Sequence, residues 1–189
     1  MNATQTKALL KALSFAAEKH RFQKRKDAAG TPYINHPINV ALVLAEMGNE
    51  DDTDLLMAAI LHDTIEDTET TPEELSTAFG TTVRDIVLEV TDDKSLPKDE
   101  RKRLQVVTAS KKTTAAKKLK LADKICNVLD IVNHPPGDWS TERKLSYLTW
   151  AEQVLHGLAG ANPVLENYLA KVIADGRKVL LDSTPASAI

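Results

Sequence analysis

The segment Leu61-His62-Asp63-Thr64-Ile65-Glu66-Asp67-Thr68 carries the densest chemistry in the chain, an imidazole followed directly by one carboxylate and then by two more. On a continuing helix His62 would share a face with Glu66, and Asp63 with Asp67, because side chains one turn apart are neighbours. Three acids and a histidine packed this closely repel one another and resist desolvation unless something positive compensates. A divalent cation is one such compensation; full solvation of an acidic helix end is the other. Two distant segments carry related groups. His36, in Tyr33-Ile34-Asn35-His36-Pro37, stands at a helix start, where a lone histidine is commonly a cap or a surface residue. Asp123, in Lys120-Leu121-Ala122-Asp123-Lys124-Ile125-Cys126-Asn127, interrupts an apolar helical stripe. It needs a partner there, either Asn127 one turn on or one of the nearby lysines.

The elements that must position these groups read as helices from end to end, with no useful strand-like alternation. Leu9, Leu10, Leu13 and Ala17 line a first helix. Asn35-His36-Pro37 opens a second, with proline in the first turn where its missing N–H costs nothing, and Gly48 closes it. A third runs from about Asp52 to Ile65 with Leu55, Leu56, Ala59 and Ile60 as its core face. Thr71-Pro72-Glu73-Glu74 caps a short fourth that stops at Gly80. Val83, Ile86, Val87 and Val90 give a fifth, and Pro97 opens a charged sixth. Leu121, Ile125, Val128 and Val132 give a seventh, while Ser140 and Asn162-Pro163 start two more. The expectation is a single compact all-α domain over residues 1–182, with a frayed tail over 183–189.

Order and flanking residues together carry a resemblance. A histidine, then a His-Asp pair, then an aspartate, each on its own helix, resembles the HD superfamily of phosphohydrolases. The segments Gly30 to Pro37, His62 to Thr68, Phe79-Gly80, Glu89 to Lys94 and Lys120 to Lys124 look like the hydrolase half of the bacterial RelA/SpoT enzymes. They look closest to its stand-alone relatives, the small alarmone hydrolases that include the metazoan SpoT homologue.

The resemblance implies a fold of about nine to ten helices and one divalent ion, manganese, held by His36, His62, Asp63 and Asp123. A mixed nitrogen and carboxylate set excludes neither zinc nor iron. It implies removal of pyrophosphate from the 3′ position of the alarmones ppGpp or pppGpp, with Glu66 and Asp67 handling the attacking water and the leaving oxygen. Substrate contacts carried over by position are Arg25 on the purine, Lys26 on phosphate, Asn127 on the nucleoside and Tyr147 in the same pocket. Lys98 and Arg143 are further phosphate candidates. The family's Arg-(Leu/Ile)-His-Asn stands here as Lys124-Ile125-Cys126-Asn127, which loses a histidine and keeps the asparagine. The same metal chemistry suits an adenosine analogue or the 2′-phosphate of NADPH, and a non-catalytic nucleotide sensor would keep the fold alone.

Bulk properties narrow the rest. Of 189 residues, 42% are apolar and 27% charged, which suits one soluble domain. A net charge of −3 argues against a general nucleic-acid or anionic-membrane binder. The basic run from His20 to Lys26 is a local exception. One cysteine, Cys126, excludes an internal disulfide and a thiolate zinc cage. Met1 to Lys7 lack the basic and apolar regions of a signal peptide, and Leu55 to Leu61 is too short to cross a bilayer. The expected compartment is the cytoplasm, and the expected partner a small nucleotide.

Overall fold

The structure, a computed structural model, describes residues 2–182. The tail expected to fray lies outside the described residues. Within them the chain forms ten α-helices, joined by turns and one short 3₁₀ segment, with two isolated bridges and no strand.

The middle of the core is α3, Thr53–Leu61, in which every residue from Leu55 to Leu61 is buried. A helix apolar all round must be covered on every side. It is, by α1 (Ala3–Lys19), α2 (Asn35–Glu46), α6 (Thr81–Val90) and α8 (Thr114–Asn133). Asp52 caps α3 by accepting from the Asp54 and Leu55 amides at 2.9 and 3.4 Å. The other central element is α8, which also packs against α9 (Thr141–Leu158) and α10 (Pro163–Asp182). Its cap is Thr113, which accepts from the Ala116 amide at 3.3 Å, so the helix begins well before the apolar stripe that starts at Leu121. Gly176 lets α10 close on α8 and α9: a Cβ there would lie 2.7 Å from Val132 Cγ2 and 3.3 Å from Leu148 Cδ2.

The third helix departs from the reading that carried it on to Ile65. It stops at Leu61, turns through His62 and Asp63, and resumes as α4, Thr64–Asp67. Thr64 Oγ1 donates to the Leu61 carbonyl at 2.7 Å across the break. Adjacent residues on a regular helix point about 100° apart, so the break is what lets His62 and Asp63 face the same space. At the other end of α2, the chain leaves helix at Met47, and the left-handed residue is Asn49, with φ 52°. Gly48 serves a close approach instead, since a Cβ there would meet the Leu44 carbonyl oxygen at 2.7 Å.

Candidate active site

Three helices deliver the metal-capable groups. The first turn of α2 presents His36, the α3–α4 break presents His62 and Asp63, and the middle of α8 presents Asp123. Ligand atoms of His36, His62 and Asp123 all lie within 4.8 Å of one another, and all three residues are buried. Asp63 joins through the imidazoles: its Oδ2 lies 3.0 Å from His62 Nε2 and 3.8 Å from His36 Nε2. Asp123 Oδ1 lies 3.3 Å from His36 Nε2 and 3.9 Å from His62 Nε2. Atoms that share one divalent ion at about 2.0–2.2 Å stand about 3–4 Å apart.

Tautomers and charge fit the same purpose. His62 Nδ1 sits 2.8 Å from the Ala59 carbonyl, which can only accept, so Nδ1 carries the hydrogen and Nε2 turns its lone pair to the acids. That Nε2 is buried with no hydrogen-bond partner. A lone pair facing two carboxylates calls for a proton or a cation between them. Burial, the largest single influence, opposes a charged His62, but Asp63, Asp123 and the Ala59 carbonyl together outweigh it and lift the imidazole to about 9. Burial likewise opposes a charged Asp63, and His62 in turn holds it well below the ordinary carboxylate range. Asp123 is also held low against its burial, first by the Lys124 ammonium, whose Nζ lies 2.9 Å from Oδ2. Burial pushes His36 down from its ordinary value. The structure therefore supplies Asp123 with both partners considered from sequence, because Asn127 Nδ2 donates to its Oδ1 at 2.5 Å as well.

Two neighbouring cavities share lining residues at this cluster. The inner one, about 150 Å³, is walled by the four candidate ligands with Glu66, Asp92, Gln105, Lys120 and Lys124. The outer cleft, about 710 Å³, is lined by Arg25, Lys26, Asp67, Asp130, Trp139 and Tyr147 among others, and shares Tyr33, His36 and Asn127 with the inner one. The acidic pair thus divides. Glu66 faces the inner cavity, where its Oε2 accepts from the Asp92 amide at 3.0 Å and burial raises it above its ordinary value. Asp67 faces the cleft, with Oδ2 accepting from Gln23 Nε2 at 2.9 Å and Oδ1 paired with Lys94.

Among the expected substrate contacts, Arg25, Lys26, Asn127 and Tyr147 line the cleft. Arg25 is tied down by Asp130 Oδ2 at 2.5 Å and Asn127 Oδ1 at 3.1 Å, with its guanidinium 5.6 Å from the Tyr33 ring. Lys98 and Arg143 line neither cavity. Lys98 is exposed at the start of α7 (Lys98–Thr108), and Arg143 stacks 4.3 Å over Trp139, itself a cleft residue.

Sequence reasoning assigned no role to Tyr33, Gln23, Lys124 or Trp139. Tyr33 Oη donates to Asp63 Oδ2 at 2.6 Å, and burial beside that carboxylate drives the phenol far above its ordinary value. Its nearness to His36 in sequence was the one available signal. Lys124 was visible only as one of several lysines, and nothing in the sequence sets Trp150 4.8 Å from its Nζ.

Comparison with known proteins gives a family and named relatives. The HD domain family matches residues 12–149. The chain is 50% identical over 175 residues to guanosine-3′,5′-bis(diphosphate) 3′-pyrophosphohydrolase MESH1 of Danio rerio, covering 93% of this chain and 97% of that protein. It is 53% identical over 161 residues to the Homo sapiens protein of the same name, covering 85% and 90%. Among solved structures, a metazoan SpoT orthologue that hydrolyses ppGpp superposes with a TM-score of 0.86 at 45% identity, covering 89% of this chain and 94% of that one.

Proposed function

The chain belongs to the HD domain family, and we propose that it is a metal-dependent 3′-pyrophosphohydrolase of ppGpp and pppGpp, releasing pyrophosphate and GDP or GTP. One observation carries the reading: buried His36, His62 and Asp123, with the half-buried Asp63 beside both imidazoles, lie next to a cleft of nucleotide size that His36 also lines. Relatives about half identical over nearly their whole length bear names for that reaction.

His36, His62, Asp63 and Asp123 are the residues to hold the ion, with manganese as the expected metal. When bound, it supplies Lewis-acid polarisation of the phosphate and acidification of a coordinated water. The protein's own groups do the rest. Arg25, fixed by Asp130 and Asn127, offers a planar cation beside the cleft for a purine face. Tyr147 and Trp139, with ring centroids 6.0 Å apart, add aromatic surface to the same cleft, and the exposed Lys26 offers charge for phosphate. Hydrolysis forms a bond from the water oxygen to the 3′ phosphorus and breaks the bond from that phosphorus to the ribose oxygen, which takes up a proton. Glu66 lies in the ion's cavity and is lifted by burial, so it is placed to take the proton from the water. Asp67 lies on the nucleotide side, placed to orient the substrate and manage the proton at the ribose oxygen.

Among the described residues no helix is long and apolar enough to cross a membrane. The cytoplasm is the proposed location.

Chromatography of ppGpp incubated with the protein and Mn²⁺ tests the reading. GDP and pyrophosphate should appear together and vanish with a chelator or in His62→Ala. Intact ppGpp after prolonged incubation with excess Mn²⁺ would overturn it.

A further inference from the structure

His20 closes α1, its amide donating to the Ala16 carbonyl at 2.9 Å, and the residue is 98% buried. Its ring lies 5.0 Å from that of Tyr33. Nδ1 stands 2.6 Å from Gln23 Oε1, and the same amide donates from Nε2 to Asp67 Oδ2 at 2.9 Å.

The chain of donors has one consistent direction. A carboxylate only accepts, so Gln23 must turn its NH₂ to Asp67 and its oxygen to His20. The amide oxygen also only accepts, so His20 must carry its hydrogen on Nδ1. The cost is visible: Nε2 of His20 is left buried with no partner. Gln23 is held as firmly in its backbone, whose N–H donates to the His20 carbonyl at 2.9 Å and whose carbonyl accepts from the Tyr33 amide at 3.0 Å.

From this we infer that His20 and Gln23 are positioning residues, a relay that fixes the direction of the Asp67 carboxylate at the edge of the nucleotide cleft. Asp67 sits in a four-residue helical turn beside the α3–α4 break, and its other oxygen meets only the half-exposed Lys94. Without Gln23 the carboxylate would be free to follow that half-exposed lysine toward solvent. The same histidine also backs Tyr33, which bonds Asp63. One buried ring at the end of α1 thus supports a metal-side group and a proton-handling group from behind.

The inference rests on the hydrolase reading for its kinetic consequence, but not for its geometry. Gln23→Leu should lower kcat about 10–100-fold, the usual range for an outer partner of a site residue, with KM within about threefold. His20→Leu should do the same. His20→Asn, whose amide NH₂ can replace Nδ1–H, should recover most of that loss, which a purely structural role for the buried ring would not allow. Independently of turnover, ¹⁵N NMR of histidine-labelled protein near pH 8 should show His20 as the Nδ1–H tautomer, and Gln23→Leu should abolish that preference. Far-UV circular dichroism and metal content confirm that each variant is folded and loaded. An Nδ1-unprotonated His20 in the wild type, or Gln23→Leu with wild-type kcat, overturns the relay. Loss of ppGpp turnover in the wild type would remove the hydrolase reading while the tautomer still decides the relay.

Discussion

Metal binding to this site should release a proton and strengthen steeply with pH. His62 is the reason. Its Nδ1 hydrogen is committed to the Ala59 carbonyl, so the titrating proton sits on Nε2, the atom that faces Asp63 at 3.0 Å and would ligate the ion. Burial opposes that proton, yet Asp63, Asp123 and the Ala59 carbonyl together outweigh burial and hold the imidazole at about 9, against an ordinary 6.5. An ion must displace it, and each pH unit below about 9 costs about a factor of ten in affinity, or 1.4 kcal/mol. From pH 6.5 to 8.5, two units, the Kd for Mn²⁺ should fall about 100-fold, and the dependence should flatten above about 9. The stability of the metal-free protein runs the other way. Because the folded value lies above the ordinary one, the His62–Asp63 contribution is complete below about 6.5 and is lost as pH rises through about 9. The metal-free Tm should decline across that window while the metal-saturated Tm holds. Anaerobic calorimetry of Mn²⁺ into metal-stripped protein, in two buffers of different protonation enthalpy, reads both quantities. About one proton should be released per ion at pH 7. A Kd unchanged between pH 6.5 and 8.5, or no proton release at pH 7, refutes the reasoning.

Tyr33→Phe removes the 2.6 Å bond to Asp63 while keeping the ring against His20 and His36. Its Kd for Mn²⁺ should rise about 10–100-fold with Tm little changed, as measured by calorimetry and thermal melting. Arg25→Ala removes the guanidinium held by Asp130 and Asn127; KM for ppGpp should rise roughly tenfold or more, with a smaller change in kcat, in steady-state assays. Gly176→Ala places a methyl 2.7 Å from Val132 Cγ2. The overpacking, about 1–3 kcal/mol, exceeds the gain of about 1 kcal/mol in helix propensity, so Tm should drop by a few degrees with metal affinity unaffected.

The helices were legible because their signals are local. Asn35-His36-Pro37, Thr71-Pro72 and Ser140 each open a helix where the sequence places one, and Thr71 and Ser140 accept from the amides three residues on, at 3.2 and 3.3 Å. The start of α8 was hidden because Lys117, Lys118 and Lys120 mask its first apolar positions, leaving Thr113 as the only mark. The break after Leu61 was hidden for a different reason. Nothing in Leu61-His62-Asp63-Thr64 forbids helix, so no local signal marks the place where α3 ends and α4 begins. Residue types and their order pointed to His36, His62, Asp63 and Asp123 because imidazole and carboxylate are distinctive wherever they interrupt an apolar stripe. The outer partners lack that distinction. Gln23 is an ordinary polar residue in a basic run, and it reaches Asp67 from a loop after α1 that pairs with the segment before α2, through the Tyr33 amide.

The arrangement of charge explains why the ion and the substrate belong together here. Each acid near the site has a local counterpart: Lys124 for Asp123, Lys94 and Gln23 for Asp67, the Asp92 amide for Glu66. Asp123 meets the imidazoles too but leans first on Lys124, whereas Asp63 leans first on something removable, the proton on His62, besides the Tyr33 hydroxyl. Strip that proton and the inner cavity turns more negative toward a cleft that must admit a polyanion. Replacing one proton with a doubly charged ion reverses this, raising the cavity's charge by one at the place where the substrate's phosphate has to arrive. Had Asp63 instead been paired with a fixed lysine, the cluster would be neutral and stable without an ion, and it would hold one poorly. The pairing with a titratable imidazole is therefore what leaves the site in need of a metal and, through it, receptive to phosphate.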